Sequence, residues 1–153
     1  MQLDDAKHNR GTHFQDVFQE ALKEMAVHLP CLWHRLADTK AARNYVREQP
    51  GDFMLLAGVA HLFELKSSDS GRTLKQMLNT QGGRRQVAQA RKWLRAGGMA
   101  WFLYLNEQTG MVQAWPAALV ITGEFGGVPW RVCRLEGLDW LLGEIMSEGK
   151  DAV

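Results

Sequence analysis

The sequence predicts an α/β protein, a central mixed β-sheet flanked by helices. Three observations carry the prediction. Two apolar runs, Phe53–Leu56 and His61–Lys66, flank the turn-like Ala57-Gly58-Val59-Ala60 and read as a pair of strands. Amphipathic stretches precede and follow that hairpin at helical spacing. Further apolar runs, from Met99 onward, then supply more strands before a last helix. The order α, β-hairpin, α, β, β, α gives a mixed sheet with helices against it.

Residues 1–11 are polar and are expected to form a loose tail. Thr12 to His28 reads as a helix, because Phe14, Val17, Phe18, Ala21, Leu22 and Met25 form one apolar stripe. Gly11-Thr12 supplies its N-cap, and Pro30 stops it. Cys31 to Glu48 is mixed, with a helical piece expected near Asp38 to Val46. After the hairpin, Ser67 to Gly71 reads as a polar loop. Gly82-Gly83-Arg84-Arg85 opens a second helix that runs to about Arg95, where Gly97-Gly98 ends it. Met99–Leu105 is a buried strand, Asn106–Gly110 a turn, and Met111–Ala117 another strand containing Pro116. Leu119–Thr122 and Trp130–Leu135 are expected to add short strands, and Leu138–Met146 a final helix.

The bulk properties narrow the class. A chain of 153 residues fits one domain, here expected to span 1–153, and it is long enough to bury a core. An apolar fraction of 46% with six tryptophans argues against disorder. No apolar run is long enough to cross a bilayer, and Met1-Gln2-Leu3-Asp4-Asp5 does not read as a signal peptide. The two distant cysteines, Cys31 and Cys133, make neither a disulfide framework nor a zinc site. Reduced thiols in a cytoplasmic protein are the plain expectation. Net charge is only +1, but it is segregated. Ser70 to Asn106 contains no Asp or Glu and carries Arg72, Lys75, Arg84, Arg85, Arg91, Lys92 and Arg95. Acids crowd the C-terminal end at Glu136, Asp139, Glu144, Glu148 and Asp151. One basic face suits a polyanionic partner.

The chemistry concentrates on Asp52, Glu64 and Lys66. Side chains alternate along a strand, so Glu64 and Lys66 share a face while Leu65 points into the opposite layer. The hairpin brings Asp52 beside Glu64. Carboxylates packed together with an ammonium are costly unless a cation and an anionic substrate join them. Carboxylate and carbonyl oxygens are what Mg²⁺ or Mn²⁺ prefers. Asp52, Glu64 and the Leu65 backbone carbonyl are therefore the candidate metal ligands. Lys66 is placed to hold an attacking water or a scissile phosphate, an electrostatic effect worth about 3–4 kcal/mol per group. A charged hairpin edge with no chemistry is the competing reading, and the apolar His61-Leu62-Phe63 before the pair weighs against it.

Pro50, Asp52, Glu64 and Lys66 resemble the signature of the PD-(D/E)xK nuclease superfamily. Asn9-Arg10-Gly11 is similar to the opening of RecU-type and archaeal Hjc-type Holliday junction resolvases. Glu64-Leu65-Lys66-Ser67-Ser68 resembles the third motif of those resolvases, and Gln86 the glutamine that follows it. The resemblance covers Asn9 to Asn106. It implies a restriction-endonuclease-like core, a Mg²⁺-dependent endodeoxyribonuclease activity in which Mn²⁺ substitutes, and a homodimer acting on branched DNA such as a four-way junction. Two departures stand out. Gly51 separates Pro50 from Asp52, and Gln15 occupies the place where the family pattern has a glutamate. Gln15 joins the catalytic set by position, with an amide in place of a charge. Glu20, and Glu24 on the same helix, are the candidate substitutes as metal ligand.

The basic residues sort by place along the chain. Arg10 is expected beside a helix N-terminus, which favours phosphate. Arg35, Lys40 and Arg43 precede the hairpin, and Arg84, Arg85, Gln86 and Arg91 belong to the second helix. Phosphate contacts of this kind position a nucleic acid without reading its sequence. His28, His34 and His61 are not at ligand spacing. The tryptophans are expected in the core, with Trp130 and Trp140 as apolar surface for a dimer. Alternatives to a junction resolvase are another DNA-processing nuclease of the superfamily, or an inactive nuclease fold that binds DNA or protein.

Overall fold

The computed structural model describes residues 2–36, 49–124 and 127–151, with side chains described over 12–36, 49–124 and 127–148. Helix α1 spans Gln2–His28, and strand β1 Leu32–Arg35. Strands β2 (Phe53–Ala57) and β3 (Val59–Ser68) form the hairpin, and two helices follow, α2 (Leu74–Leu78) and α3 (Gln81–Arg95). Then come β4 (Met99–Asn106), β5 (Met111–Pro116), α4 (Ala117–Ile121), β6 (Arg131–Arg134) and α5 (Leu138–Asp151).

The strands make one six-stranded sheet in chain order β1 to β6. It is mixed: β3 and β4 run parallel, and every other neighbouring pair is antiparallel. The parallel step needs a long connection, and α2 and α3 provide it. The α/β class and the flanking of a mixed sheet by helices are therefore as the sequence predicts.

Each face of the sheet carries its own core. Phe14, Phe18 and Leu22 of α1 and Leu141, Leu142 and Ile145 of α5 pack against Phe53, Phe63, Leu65 and Leu103. On the other face, Leu74 and Leu78 of α2, Ala90 of α3 and Val120 of α4 pack against Leu62, Phe102, Tyr104 and Trp115. Along β3 the alternation is strict from Leu62 to Leu65, which sends Phe63 and Leu65 to the first layer and leaves Glu64 on the second.

Four details differ from the sequence reading. Helix α1 starts at Gln2, so residues 2–11 are helical and Gly11-Thr12 is not a cap. Gln2, Leu3, Ala6 and Lys7 are good helix formers, and the mid-helix Gly11 costs only roughly 0.5–1 kcal/mol. Leu119–Thr122 is not a strand. Ala117–Ile121 is one helical turn after Pro116, and periodicity cannot separate the two in so short an apolar run. Strand β1 escaped the sequence reading because its four residues, Leu-Trp-His-Arg, show no clean alternation. Helix α2 also escaped, although Thr73 and Gln76 form a capping box that announces it. The helical piece expected at 38–46 lies outside the described residues.

Candidate active site

Asp52 stands just before β2, held by backbone on both sides. Its N–H donates to the Phe63 carbonyl at 2.8 Å, and its carbonyl accepts from Leu36 N at 2.8 Å. The chain passes close to β3 there: a Cβ on Gly51 would lie 2.8 Å from Leu62 Cδ1 and 3.0 Å from the Phe63 carbonyl oxygen. Glycine between Pro50 and Asp52 is thus a close-approach residue. Registered pairing of β2 with β3 ends at Phe53↔Phe63. Beyond it, the Asp52 side chain takes over, and Oδ2 accepts from Leu65 N at 2.7 Å. A residue's N–H and carbonyl point to the same side of a strand, so the Leu65 carbonyl faces the Asp52 side too.

Glu64 and Lys66 share the opposite face from Leu65, as alternation requires. Glu64 is 8% exposed. Its Oε1 accepts from Gln86 Nε2 at 2.7 Å and lies 3.6 Å from Lys66 Nζ. Burial pushes the Glu64 carboxyl up to about 8, the Asp52 carboxylate adds to the rise, and Lys66 opposes it. A carboxylate close enough to raise its neighbour in this way shares a site with it. Gln86 comes from α3, one turn inside the Thr80 cap that accepts from Gly83 N at 3.0 Å. Its Oε1 is buried and has no hydrogen-bond partner among the described residues.

Gln15 reaches the same place from α1, where Nε2 donates to Asp52 Oδ1 at 3.4 Å. Its oxygen is engaged by Arg35, whose Nη2 donates to it at 3.0 Å. The structure therefore brings together Asp52, Glu64, Lys66, Gln15 and Gln86, with Arg35 behind Gln15. The link through Arg35 has no signature in the sequence. Pairing of β1 with β2, which sets Arg35 opposite Phe53, is what creates it.

Other expected site residues lie elsewhere. Glu20 does not join the carboxylates. It is exposed, pairs with Lys23 at 3.1 Å, and with Glu24 lines a cleft against Leu135, Glu136 and Asp139. Five residues beyond Gln15, it has turned away around the helix. Arg10 is inside α1 rather than beside its N-terminus, so the helix-end argument for phosphate fails there. Lys40 and Arg43 lie outside the described residues. Arg84, Arg85 and Arg91 are exposed on α3, and Arg72 and Lys75 are exposed before and on α2. His61 is buried and its Nδ1 accepts from Trp101 Nε1 at 3.2 Å, a structural role. Trp101 and Trp115 are core residues, Trp130 packs on Trp101 at 5.0 Å between ring centroids, and Trp140 is exposed.

The donors fit a hard divalent cation. Asp52, Glu64 and the Leu65 carbonyl offer oxygen donors of the kind such a cation takes, and a cation there would favour ionisation of the raised Glu64 carboxyl. The buried Oε1 of Gln86, on the same amide that holds Glu64, has no partner among the described residues.

No protein-family model matches the chain, and no curated protein does. Among solved structures it is similar to that of Archaeoglobus fulgidus Hjc, a Holliday junction resolvase from an archaeal hyperthermophile. The identity is 14%, the match covers 71% of this chain and 76% of that one, and the TM-score is 0.43. No helix among the described residues is long and apolar enough to cross a membrane.

Proposed function

We propose that this protein is a divalent-metal-dependent endodeoxyribonuclease that hydrolyses phosphodiester bonds in branched DNA, with the four-way junction as its preferred substrate. The observation that carries the reading is the convergence of Asp52, Glu64 and Lys66. Two carboxyl groups and an ammonium meet at one strand end, where burial and the neighbouring Asp52 raise the Glu64 carboxyl.

Asp52, Glu64 and the Leu65 carbonyl would hold Mg²⁺ or Mn²⁺, which when bound supplies Lewis-acid stabilisation of charge on the phosphate. The remaining work belongs to the side chains. Lys66 holds the attacking water or a phosphate oxygen and offsets charge as it develops. Gln86 fixes the Glu64 carboxylate, and Gln15 fixes that of Asp52. The exposed Arg84, Arg85 and Arg91 track the DNA backbone without reading bases. Symmetric cuts across a junction call for a twofold dimer, and the exposed Trp140 is one apolar contribution to such an interface.

Cleavage of four-way junction, flap and duplex DNA, each with Mg²⁺, Mn²⁺ or chelator, tests the reading. Metal-dependent cutting with the junction favoured is the expected result. Binding of junctions with no cutting in either metal would sink the enzyme reading. It would favour a DNA-binding module, for which the uncharged Gln15 is the main support.

A further inference from the structure

We infer that Arg35 is a positioning residue, which acts through Gln15 to aim the Asp52 carboxylate and to confine the site to one divalent cation. This role rests on the nuclease reading above.

Two of the three nitrogens of the Arg35 guanidinium are engaged by neighbouring side chains. Its Nη1 donates to Asp16 Oδ1 at 2.8 Å and to Gln19 Oε1 at 3.1 Å. Its Nη2 donates to Gln15 Oε1 at 3.0 Å, and its Cζ lies 5.8 Å from the centre of the Phe53 ring. These contacts leave it poorly placed to serve as a mobile phosphate contact, the role its sequence position suggested.

The amide of Gln15 has only one orientation that suits both neighbours. A guanidinium donates and never accepts, so the Gln15 atom facing Arg35 is the oxygen. An ionised carboxylate accepts and never donates, so the atom facing Asp52 is the nitrogen. The 3.4 Å contact from Nε2 to Asp52 Oδ1 is that arrangement. Gln15 therefore presents N–H bonds to the carboxylate pocket and keeps its oxygen on Arg35. An N–H cannot ligate a cation. Glu20 and Glu24 face the α5 side, and no group of three or more acidic, histidine or cysteine side chains is gathered to hold a metal among the described residues. Among the described residues Asp52, Glu64 and the Leu65 carbonyl remain, and with both carboxyl groups ionised their two charges balance one divalent ion.

The test uses the full chain with Arg35→Lys and Arg35→Gln, each first compared with wild type by circular dichroism and thermal melting. Lysine keeps the charge but cannot reach three acceptors from one plane. Calorimetric titration with Mn²⁺ in the absence of DNA, and steady-state cleavage of a four-way junction, supply the readouts. Wild type is expected to bind one Mn²⁺ per chain. Both variants should bind it about 10–100-fold more weakly and lose kcat by a similar factor, the usual effect of disturbing the partner of a metal ligand. KM for DNA should stay within about twofold, since uniform substrate binding is untouched. A raised KM and a shallower salt dependence at unchanged kcat would make Arg35 a phosphate contact and overturn the assignment. Two Mn²⁺ per wild-type chain would overturn the single-cation site. If wild type binds Mn²⁺ and cuts no DNA, the nuclease reading fails, and the Mn²⁺ affinities of the variants still decide the role of Arg35. If wild type binds no Mn²⁺, both fail.

Discussion

Gln86 donates its side-chain amide to Glu64 Oε1 at 2.7 Å, across 22 positions of sequence and from helix α3 to strand β3. Glu64 is buried beside Asp52, so this bond is one of the few that favour its ionised form. A hydrogen bond to a charged group contributes about 1.5–3 kcal/mol. Gln86→Leu keeps the side-chain volume and removes the donor. We expect Mn²⁺ affinity to fall roughly 10–100-fold, as for other partners of ligand residues. Melting temperature should move by only a few degrees, since the variant also removes the buried, unpaired Oε1. Calorimetric titration and a melting curve check both halves, and unchanged affinity would make Gln86 a packing residue.

Asp52→Asn and Lys66→Ala separate chemistry from binding. Asparagine can still accept from Leu65 N through its oxygen, so the strand end holds, while its amide nitrogen replaces Oδ1 and gives up the long contact from Gln15 Nε2. It loses a charge that raises Glu64, and the metal-free protein should be at least as stable as wild type. Lys66→Ala leaves both carboxylates in place and removes the group that lowers Glu64. Both variants are expected to lose cutting while they bind junctions like wild type, because the exposed arginines of α3 remain. Cleavage assays and gel shifts on the same DNA provide the measurement. A variant that fails to fold would assign that residue to structure instead.

Much of the fold was legible because it rests on local patterns. The stripe from Phe14 to Met25, the hairpin around Gly58 and the apolar run of β4 each announce themselves by periodicity. The triad was legible because alternation fixes the face of Glu64 and Lys66. What stayed hidden depends on pairing between distant segments. Strand β1 is too short to signal itself, so its side-by-side register with β2 was out of reach. With it goes the Arg35–Gln15–Asp52 link, which no sequence spacing announces. Glu20 was overrated because an acid near a site reads well in sequence, while its helical phase turns it to Glu136 and Asp139. The early start of α1 was missed because residues 2–11 have helix-forming side chains but no stripe.

Gly51 is a further test of geometry over motif. The Cβ of an alanine there would come within 3.0 Å of the Phe63 carbonyl and closer still to the Leu62 side chain. Leu62 can yield, but the carbonyl belongs to the bond that holds Asp52 N. Gly51→Ala should therefore shift Asp52 and cost about 1–3 kcal/mol, the range for overpacking. Denaturant unfolding gives the stability change, and cutting should fall by more than the fraction unfolded explains. Wild-type activity with full stability would show that the strand end has room.

The pH dependence of stability isolates Glu64. Its folded-state carboxyl is raised from 4.5 to about 8, so the folded chain holds a proton that the unfolded chain gives up. That contribution is fully present below pH 4.5 and is lost as pH rises through about 8. His61 acts with the opposite sign. Burial lowers it from 6.5 to about 4, and its Nε2 has no partner among the described residues. Its contribution is present above pH 6.5 and is lost as pH falls toward 4. The two slopes oppose each other between pH 4.5 and 6.5, while from 6.5 to 8 Glu64 acts without His61. In chelator, the melting temperature should thus fall across that upper window. Glu64→Gln should flatten the fall. A cation that needs the ionised carboxylate competes with the proton, so saturating Mg²⁺ should stabilise more at pH 8 than at 6.5 and reverse the slope. Melting curves in chelator and in Mg²⁺ for wild type and Glu64→Gln complete the test. Equal slopes in the two proteins would mean that Glu64 is not the group that titrates.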